Sequence, residues 1–89
     1  MDKKSDERVD QFIDITGDVC PMTFVRTKLK IESMDPGQIL EVRLKGREPL
    51  ENVPRSAIEH GHTILALEPE DKGAPAGGVH HLLIRKSEA

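Results

Sequence analysis

Two hydrophobic periodicities alternate along this chain, and their order restricts the possible folds more than any other feature of the sequence. Apolar residues at every second position are typical of strands, whereas apolar residues three and four positions apart are typical of helices. Strand-type segments lie at residues 11–16, 38–45, 62–68 and 79–86, and helix-type segments lie at 21–34 and 49–60. The sequence therefore predicts six elements in the order β-α-β-α-β-β.

The predicted first helix has recognisable signals at both ends. Pro21 suits the first helical position, where its missing N–H would have no partner in any case, and the run Asp35-Pro36-Gly37 ends the helix. Between these signals the apolar residues recur at helical spacing, and we expect them to form the face that is buried in the core. Met22, Val25 and Leu29 follow this spacing, and Phe24, Ile31 and Met34 widen the same face.

The predicted second helix contains a proline in its interior. Pro54 would remove one backbone hydrogen bond, so we expect either a kink at this residue or a helix that begins near Asn52. Gly61 is a suitable stop after the last helical turn. The residues expected to form the buried face of this helix are Leu50, Val53, Ala57 and Ile58.

This order of elements predicts the fold class. Strands that alternate with helices indicate parallel pairing, and two successive strands at the end of a chain indicate a hairpin. We therefore expect an α/β (α+β) two-layer sandwich, in which a mixed four-stranded sheet carries both helices on one face. The chain of 89 residues has room for a single domain, which we place at residues 10–87, and the charged residues 1–9 are expected to form a flexible N-terminal tail.

Composition argues against several classes of protein. The net charge of −3 and the presence of only two aromatic residues make a nucleic-acid interface unexpected, because such interfaces need basic charge and stacking surfaces. No segment approaches the length of an apolar membrane span, and the N-terminal residues lack the apolar run of a signal peptide. One cysteine excludes an internal disulfide. We therefore expect a cytoplasmic protein whose thiol stays reduced.

The single cysteine occupies a position that favours reactivity. Gly17 and Asp18 end the first predicted strand, and Cys20 comes directly before the helix that begins with Pro21. A helix N-terminus presents unpaired N–H groups and partial positive charge, which stabilise a thiolate by about 0.3–1 kcal/mol. The charge of Asp18 would oppose this effect if it faced the sulfur. The alternative is a buried cysteine that acts as a small apolar residue.

The segment around Cys20 resembles the TusA/SirA family of sulfur carriers. The resemblance covers roughly residues 11–86 and includes the run 14–23, Pro36-Gly37, the strand at 40–42, Val53-Pro54 and Gly61-His62. This family places a Cys-Pro-x-Pro motif at the start of its first helix, and the present chain has Cys-Pro-Met-Thr at 20–23. Thr23 thus replaces the second proline and keeps a backbone N–H that the Cys20 sulfur could accept from.

The resemblance implies a function in sulfur transfer. The Cys20 thiolate would accept sulfane sulfur as a persulfide from a donor protein, such as a cysteine desulfurase or a rhodanese, and would pass it to an acceptor protein. Members of the family serve tRNA thiolation, molybdenum-cofactor formation or sulfur oxidation, without a metal or organic cofactor. The residues that would support the helix N-terminus around the cysteine are Gly17, Asp18, Pro21, Met22 and Thr23.

Other functions and other candidate residues remain open from the sequence. The chain could be a non-catalytic regulatory or binding module of the same fold, or a thiol redox sensor that acts through Cys20. Arg26 and Lys28 are candidate partner contacts, although a solvated helix face remains the default explanation for them. His80 and His81 are neighbours on a strand and point to opposite faces, so we expect no metal site there.

Overall fold

Four strands and two helices follow one another in the predicted order. The structure is a computed structural model, and it describes residues 9–18, 22–71, 73 and 77–87. The elements are β1 (Gln11–Asp14), α1 (Met22–Glu32), β2 (Ile39–Leu44), α2 (Arg47–Glu59), β3 (Thr63–Pro69) and β4 (His80–Arg85). Residues 1–8 of the predicted tail lie outside the described residues.

The four strands form one mixed sheet with the order β1-β2-β4-β3. β1 and β2 pair in parallel, as expected for two strands joined by α1, and β4 pairs antiparallel with both β2 and β3. The last strand therefore lies inside the sheet, between β2 and its own hairpin partner. The predicted mixed sheet and the terminal hairpin are confirmed.

Both helices pack on the same face of this sheet. The fully buried side chains of the two inner strands, β2 and β4, point toward the helices and form the part of the core that the sheet contributes. They pack in one cluster with Ile31 of α1, with Met34 just after it, and with Val53 and Ala57 of α2. The strand residues of this cluster are Leu40, Val42, Leu44, Leu82 and Ile84. The predicted two-layer sandwich is confirmed.

The predicted buried face of α1 is partly wrong. Ile31 and Met34 are buried, but Met22 and Leu29 expose 47% and 59% of their surface. The helix instead buries Thr23 and Thr27 together with Ile31. A threonine is tolerated here because the Thr27 hydroxyl donates a hydrogen bond of 2.8 Å to the Thr23 carbonyl, so its polar group has a partner inside the core.

Of the two outcomes predicted for Pro54, a kink or a helix that begins near Asn52, the second does not occur. The helix begins at Arg47, directly after Gly46, whose φ of +102° is a conformation that residues with a side chain rarely adopt. Pro49 falls in the first turn, where its missing N–H has no intrahelical partner to lose. Pro54 lies in the interior of the helix and removes one hydrogen bond there, and the helix continues past it.

The predicted buried face of α2 is largely confirmed. Val53 and Ala57 are buried, and Leu50 packs against the core. Ile58, however, exposes 58% of its surface. It lies next to Ala57, outside the face of α2 that carries the buried residues Pro49, Val53 and Ala57.

Candidate functional site

The candidate site lies between the end of β1 and the start of α1. Cys20 and Pro21, which the sequence predicts to lie at its centre, fall outside the described residues together with Val19. Their neighbours on both sides, Asp18 and Met22, are described. The geometry of the site is therefore known from its two flanks, and the role of Cys20 stays a prediction from the sequence.

The flank that follows β1 is held by main-chain hydrogen bonds. The buried Ile15 donates from its N–H to the carbonyl of Arg43 on β2, at 2.9 Å, and the N–H of Asp18 donates to the carbonyl of Ile15, at 3.0 Å. The predicted break of the strand at Gly17 and Asp18 is thus a hydrogen-bonded turn. Gly17 is exposed, and a Cβ at this position would meet no atom within 4 Å.

Asp14 ends β1 earlier than the sequence predicts. Its carboxylate accepts hydrogen bonds from the backbone N–H of Thr16, at 2.9 Å, and from the hydroxyl of the same residue, at 2.7 Å. These bonds turn the chain out of the strand, because a short acidic side chain can accept a hydrogen bond from a nearby backbone N–H in place of a carbonyl on the neighbouring strand. They also hold the pKa of Asp14 below its ordinary value, the backbone bond contributing most.

The other flank is the first turn of α1. The first described residue of the helix is Met22, two residues after Cys20, whereas Pro21, the predicted first helical residue, lies outside the described residues. Thr23 is buried, so its side chain contacts the core and is not available to a partner. The first turn contains no acidic residue, so no carboxylate there neutralises the partial positive charge of the helix end.

An ion pair links the two flanks. The Arg26 guanidinium donates to the Asp18 carboxylate at 2.6 Å, across the segment that contains Cys20. The acidic charge that the sequence suggested as an obstacle to a thiolate is therefore compensated. Of the two candidate partner contacts, Arg26 carries this ion pair, whereas Lys28 pairs with Glu32 one helical turn along, at 2.9 Å.

The described histidines do not form a metal site. Throughout residues 9–18, 22–71, 73 and 77–87, no three His, Cys, Asp or Glu side chains are arranged to hold a metal ion. His80 pairs across the sheet with the buried Leu44, whereas His81 pairs with Arg43, so the two rings lie on opposite faces as predicted. No helix in the described part of the chain has the length and apolar character needed to cross a membrane.

His62 lies in the turn between α2 and β3, one residue before the observed start of β3. Its Nδ1 accepts a hydrogen bond from the backbone N–H of Ser87 at 3.0 Å, so the proton of the neutral ring is on Nε2. Burial, followed by the charges of His60 and Lys86, lowers the pKa of His62. This ring therefore serves to join the end of β4 to the turn.

Fold and sequence together define the class of this protein: a small two-layer α/β domain whose single cysteine stands two residues before Met22, the first described residue of its first helix. The family model described as Sulfurtransferase TusA matches residues 11–86. This match runs from the first residue of β1 to one residue beyond β4 and includes every element of the fold. The chain belongs to the TusA family.

Individual relatives agree with this assignment. A protein of Archaeoglobus fulgidus is 39% identical over 71 residues, which are 76% of this chain and 81% of the relative. A protein of Thermotoga maritima is 36% identical over 61 residues, which are 68% of this chain and 77% of the relative. Both bear the name "Putative sulfur carrier protein".

A solved structure shares the fold. The crystal structure of a SirA-like protein from Desulfitobacterium hafniense superimposes with a TM-score of 0.73, over 89% of this chain and 100% of that chain. Its sequence identity of 22% makes this a similarity of fold alone. The family model and the sequence relatives confirm the resemblance to the TusA/SirA family, and the solved structure confirms the fold.

Proposed function

We propose that this protein is a sulfur carrier that binds one sulfane sulfur atom as a persulfide on Cys20. The observation that supports this most directly is the charge around the start of α1, which follows the cysteine in the sequence. Its first turn carries no acidic residue, and the nearby Asp18 is neutralised by Arg26 at 2.6 Å. Both features favour a negatively charged sulfur in this segment.

The loading step is an exchange between sulfur atoms. The Cys20 thiolate attacks the outer sulfur of a persulfide on the donor protein, a new S–S bond forms, and the donor's thiolate leaves. The product is Cys20–S–SH, with no net oxidation or reduction and without a metal or organic cofactor.

The unloading step repeats this chemistry in the opposite direction. A thiolate of the acceptor protein attacks the outer sulfur, and the Cys20 thiolate leaves. A thiol that is stabilised as a thiolate is the better leaving group, so the same electrostatic setting assists unloading. Activation of the incoming thiol is left to the donor and acceptor proteins, which we propose as a cysteine desulfurase or rhodanese and a sulfur-accepting protein.

The first test is intact mass spectrometry after incubation with a cysteine desulfurase and L-cysteine. We expect the wild-type protein to gain one sulfur atom that a reductant removes, and the Cys20→Ser variant to gain none. Circular dichroism of the variant provides the control for folding. An unmodified wild-type protein, or an equal gain on the variant, would contradict the proposed function.

A redox sensor would behave differently in the same experiment. Oxidant alone would then produce a disulfide-linked dimer of the wild-type protein that dithiothreitol reverses, without any gain of sulfur. A non-catalytic module would leave Cys20 both unloaded and unreactive toward alkylating agents.

A further inference from the structure

The turn that leads from β1 toward Cys20 is joined to β2 through one carboxylate. The Oδ1 atom of Asp14 accepts hydrogen bonds from the backbone N–H and from the hydroxyl of Thr16, at 2.9 and 2.7 Å. The other oxygen, Oδ2, accepts a hydrogen bond from Nη1 of Arg43 at 3.1 Å. Asp14 therefore bridges a side chain of β2 and the residue at which the chain turns away from β1.

The orientation of the Arg43 guanidinium is fixed by a second carboxylate. Its Nε and Nη2 donate to the two carboxylate oxygens of Glu70, at 2.7 and 3.1 Å. A guanidinium is planar and rigid, so a bidentate pair of this kind also sets the direction of its remaining nitrogen. The Nη1 atom of Arg43 is thereby held toward Asp14.

The main chain of the same strand residue holds the turn a second time. The carbonyl of Arg43 accepts from the N–H of Ile15 at 2.9 Å, and the carbonyl of Ile15 accepts from the N–H of Asp18 at 3.0 Å. Arg43 thus contacts the turn at residues 14–18 through both its main chain and its side chain. Cys20 follows Asp18 by two residues, which span at most about 7 Å, so a displacement of the turn is passed on to the cysteine.

We propose that Arg43 is a positioning residue for sulfur transfer, which holds Asp14 and, through Asp14, the turn that leads to Cys20. This role rests on the function proposed above. The S–S bond forms only when the thiolate and the outer sulfur of the donor's persulfide approach to about 3–3.5 Å in the correct direction. Inside a complex of two folded proteins the persulfide has little freedom to adjust, so the carrier has to present its cysteine in a defined place.

The test is single-turnover sulfur transfer to Arg43→Gln from a cysteine desulfurase that L-cysteine has loaded with persulfide. Arg43 and its two partners are partly exposed, so the variant is expected to fold, as circular dichroism and urea unfolding would show. We expect the maximal transfer rate to fall about three- to tenfold, because the reacting atoms are less well aligned. The carrier concentration that gives half of this rate should stay nearly unchanged, because binding of the donor is not affected.

Two comparisons separate position from charge. Glu41→Gln is the matched control, because Glu41 lies on β2 in the same group of charges and bonds to His81, and its loss should leave the transfer rate unchanged. Adding Asp14→Asn to Arg43→Gln removes the carboxylate that has lost its partner, while an amide oxygen at position 14 can still accept from Thr16. Transfer should stay slow in the double variant, because the link to β2 is still missing.

Loading by inorganic polysulfide separates alignment from the reactivity of the thiol, because a small donor can approach the sulfur from many directions. Wild type and Arg43→Gln should be loaded by polysulfide at the same rate. If Arg43→Gln does not fold, Thr16→Ala takes its place, since it removes the hydroxyl bond to the same carboxylate. Transfer from the desulfurase to Thr16→Ala should then be at least about twofold slower than to wild type.

A wild-type transfer rate in Arg43→Gln, or in the substitute Thr16→Ala, would overturn the positioning role. An equal loss in Glu41→Gln, recovery of the rate in the double variant, or a slower polysulfide reaction would also overturn it, since charge or thiol reactivity would then be the cause. A wild-type protein that neither donor loads would overturn the proposed function itself, and the positioning role with it.

Discussion

At the scale of single residues, the ion pair between Arg26 and Asp18 sets the charge of the segment that contains the cysteine. The two side chains meet at 2.6 Å, and Asp18 is only two residues from Cys20 in the chain. A carboxylate this close in sequence would disfavour a thiolate, and the guanidinium offsets it. An exposed pair of this kind contributes little to stability, so its effect should be visible in reactivity.

Arg26→Gln is expected to slow alkylation of Cys20 by iodoacetamide at pH 7 about two- to threefold. The physical reason is an uncompensated carboxylate two residues from the cysteine in the chain, since any unit charge roughly 5–10 Å away is worth about 0.4–0.8 kcal/mol in water. The measurement is the pseudo-first-order alkylation rate followed by mass spectrometry.

Two further variants make this test specific. Adding Asp18→Asn to Arg26→Gln should restore the wild-type rate, because the uncompensated carboxylate is then absent. Lys28→Gln is the matched control, since its ion pair with Glu32 lies further along α1. Equal rates for Arg26→Gln and wild type would show that the ion pair does not act on the cysteine.

At the scale of elements, a network of charged side chains joins the strands on the face of the sheet that the helices leave open. Arg43 on β2 donates to Asp14 of β1, at 3.1 Å, and to Glu70 just after β3, at 2.7 Å. His81 of β4 bonds through Nδ1 to Glu41 and through Nε2 to Glu70. Both ring nitrogens can donate only when the ring is protonated, so the geometry describes an imidazolium.

The network shifts the pKa values of its members in a consistent way. Burial acts to lower the pKa of His81, but the carboxylates of Glu70 and Glu41 outweigh it and raise this pKa above its ordinary value. Hydrogen bonds from Arg43, and then from His81, lower the pKa of Glu70 to about 2. Each charge in the network thus stabilises the opposite charges beside it.

The raised pKa of His81 predicts how stability depends on pH. The stability that protonated His81 contributes to the folded protein is fully present below the ordinary pKa of about 6.5. This stability is lost as pH rises through the higher pKa of the folded state. Wild type should therefore lose up to about 1 kcal/mol of unfolding free energy relative to His81→Gln between pH 6 and 9, measured by urea unfolding. His62, whose folded pKa is lowered, has the opposite sign and affects both proteins equally.

His80→Gln is the matched control for this prediction. His80 is the neighbour of His81 on β4, but its ring lies on the other face, where Nδ1 bonds to the carbonyl of Gly78 at 2.8 Å. Its substitution removes an imidazole from β4 without touching the carboxylates of the network, so the pH dependence that comes from the network should remain. A His81→Gln protein that keeps the wild-type pH dependence would assign the titration to another group.

At the scale of the whole molecule, the described residues form a slab of about 36 × 35 × 18 Å. One layer is the sheet and the other is the pair of helices, so a single apolar layer between them supplies the core. A small domain buries a limited fraction of its surface, and each fully buried side chain therefore carries a large share of the stability.

Leu82→Ala is expected to destabilise the protein by about 2–5 kcal/mol, because Leu82 is fully buried in the central strand β4. Leu67→Ala is the matched control, since Leu67 is paired with Leu82 across the sheet but exposes 40% of its surface on the edge strand β3. The loss of unfolding free energy in Leu67→Ala should be clearly smaller than in Leu82→Ala. Urea unfolding at constant m-value measures both, and equal losses would contradict the described core.

The sequence by itself determined the order of the elements, their approximate bounds and the position of the cysteine before the first helix. These properties are local, because each is read from residues close together in the chain. A periodicity of 2 indicates a strand, a periodicity of 3.6 indicates a helix, and a glycine or proline marks a boundary. The family followed from the same local evidence, and the comparisons with known proteins confirm it.

Only the tertiary structure decided which face of α1 is buried and where β4 lies. The spacing of Met22, Val25 and Leu29 predicted that their face is buried, but the packing of the sheet selects the opposite side of α1, which carries Thr23, Thr27 and Ile31. The placement of β4 between β2 and β3, and the ion pairs that join Arg43 to Glu70, connect residues far apart in the chain. Such contacts depend on how whole surfaces fit together, which no local pattern contains.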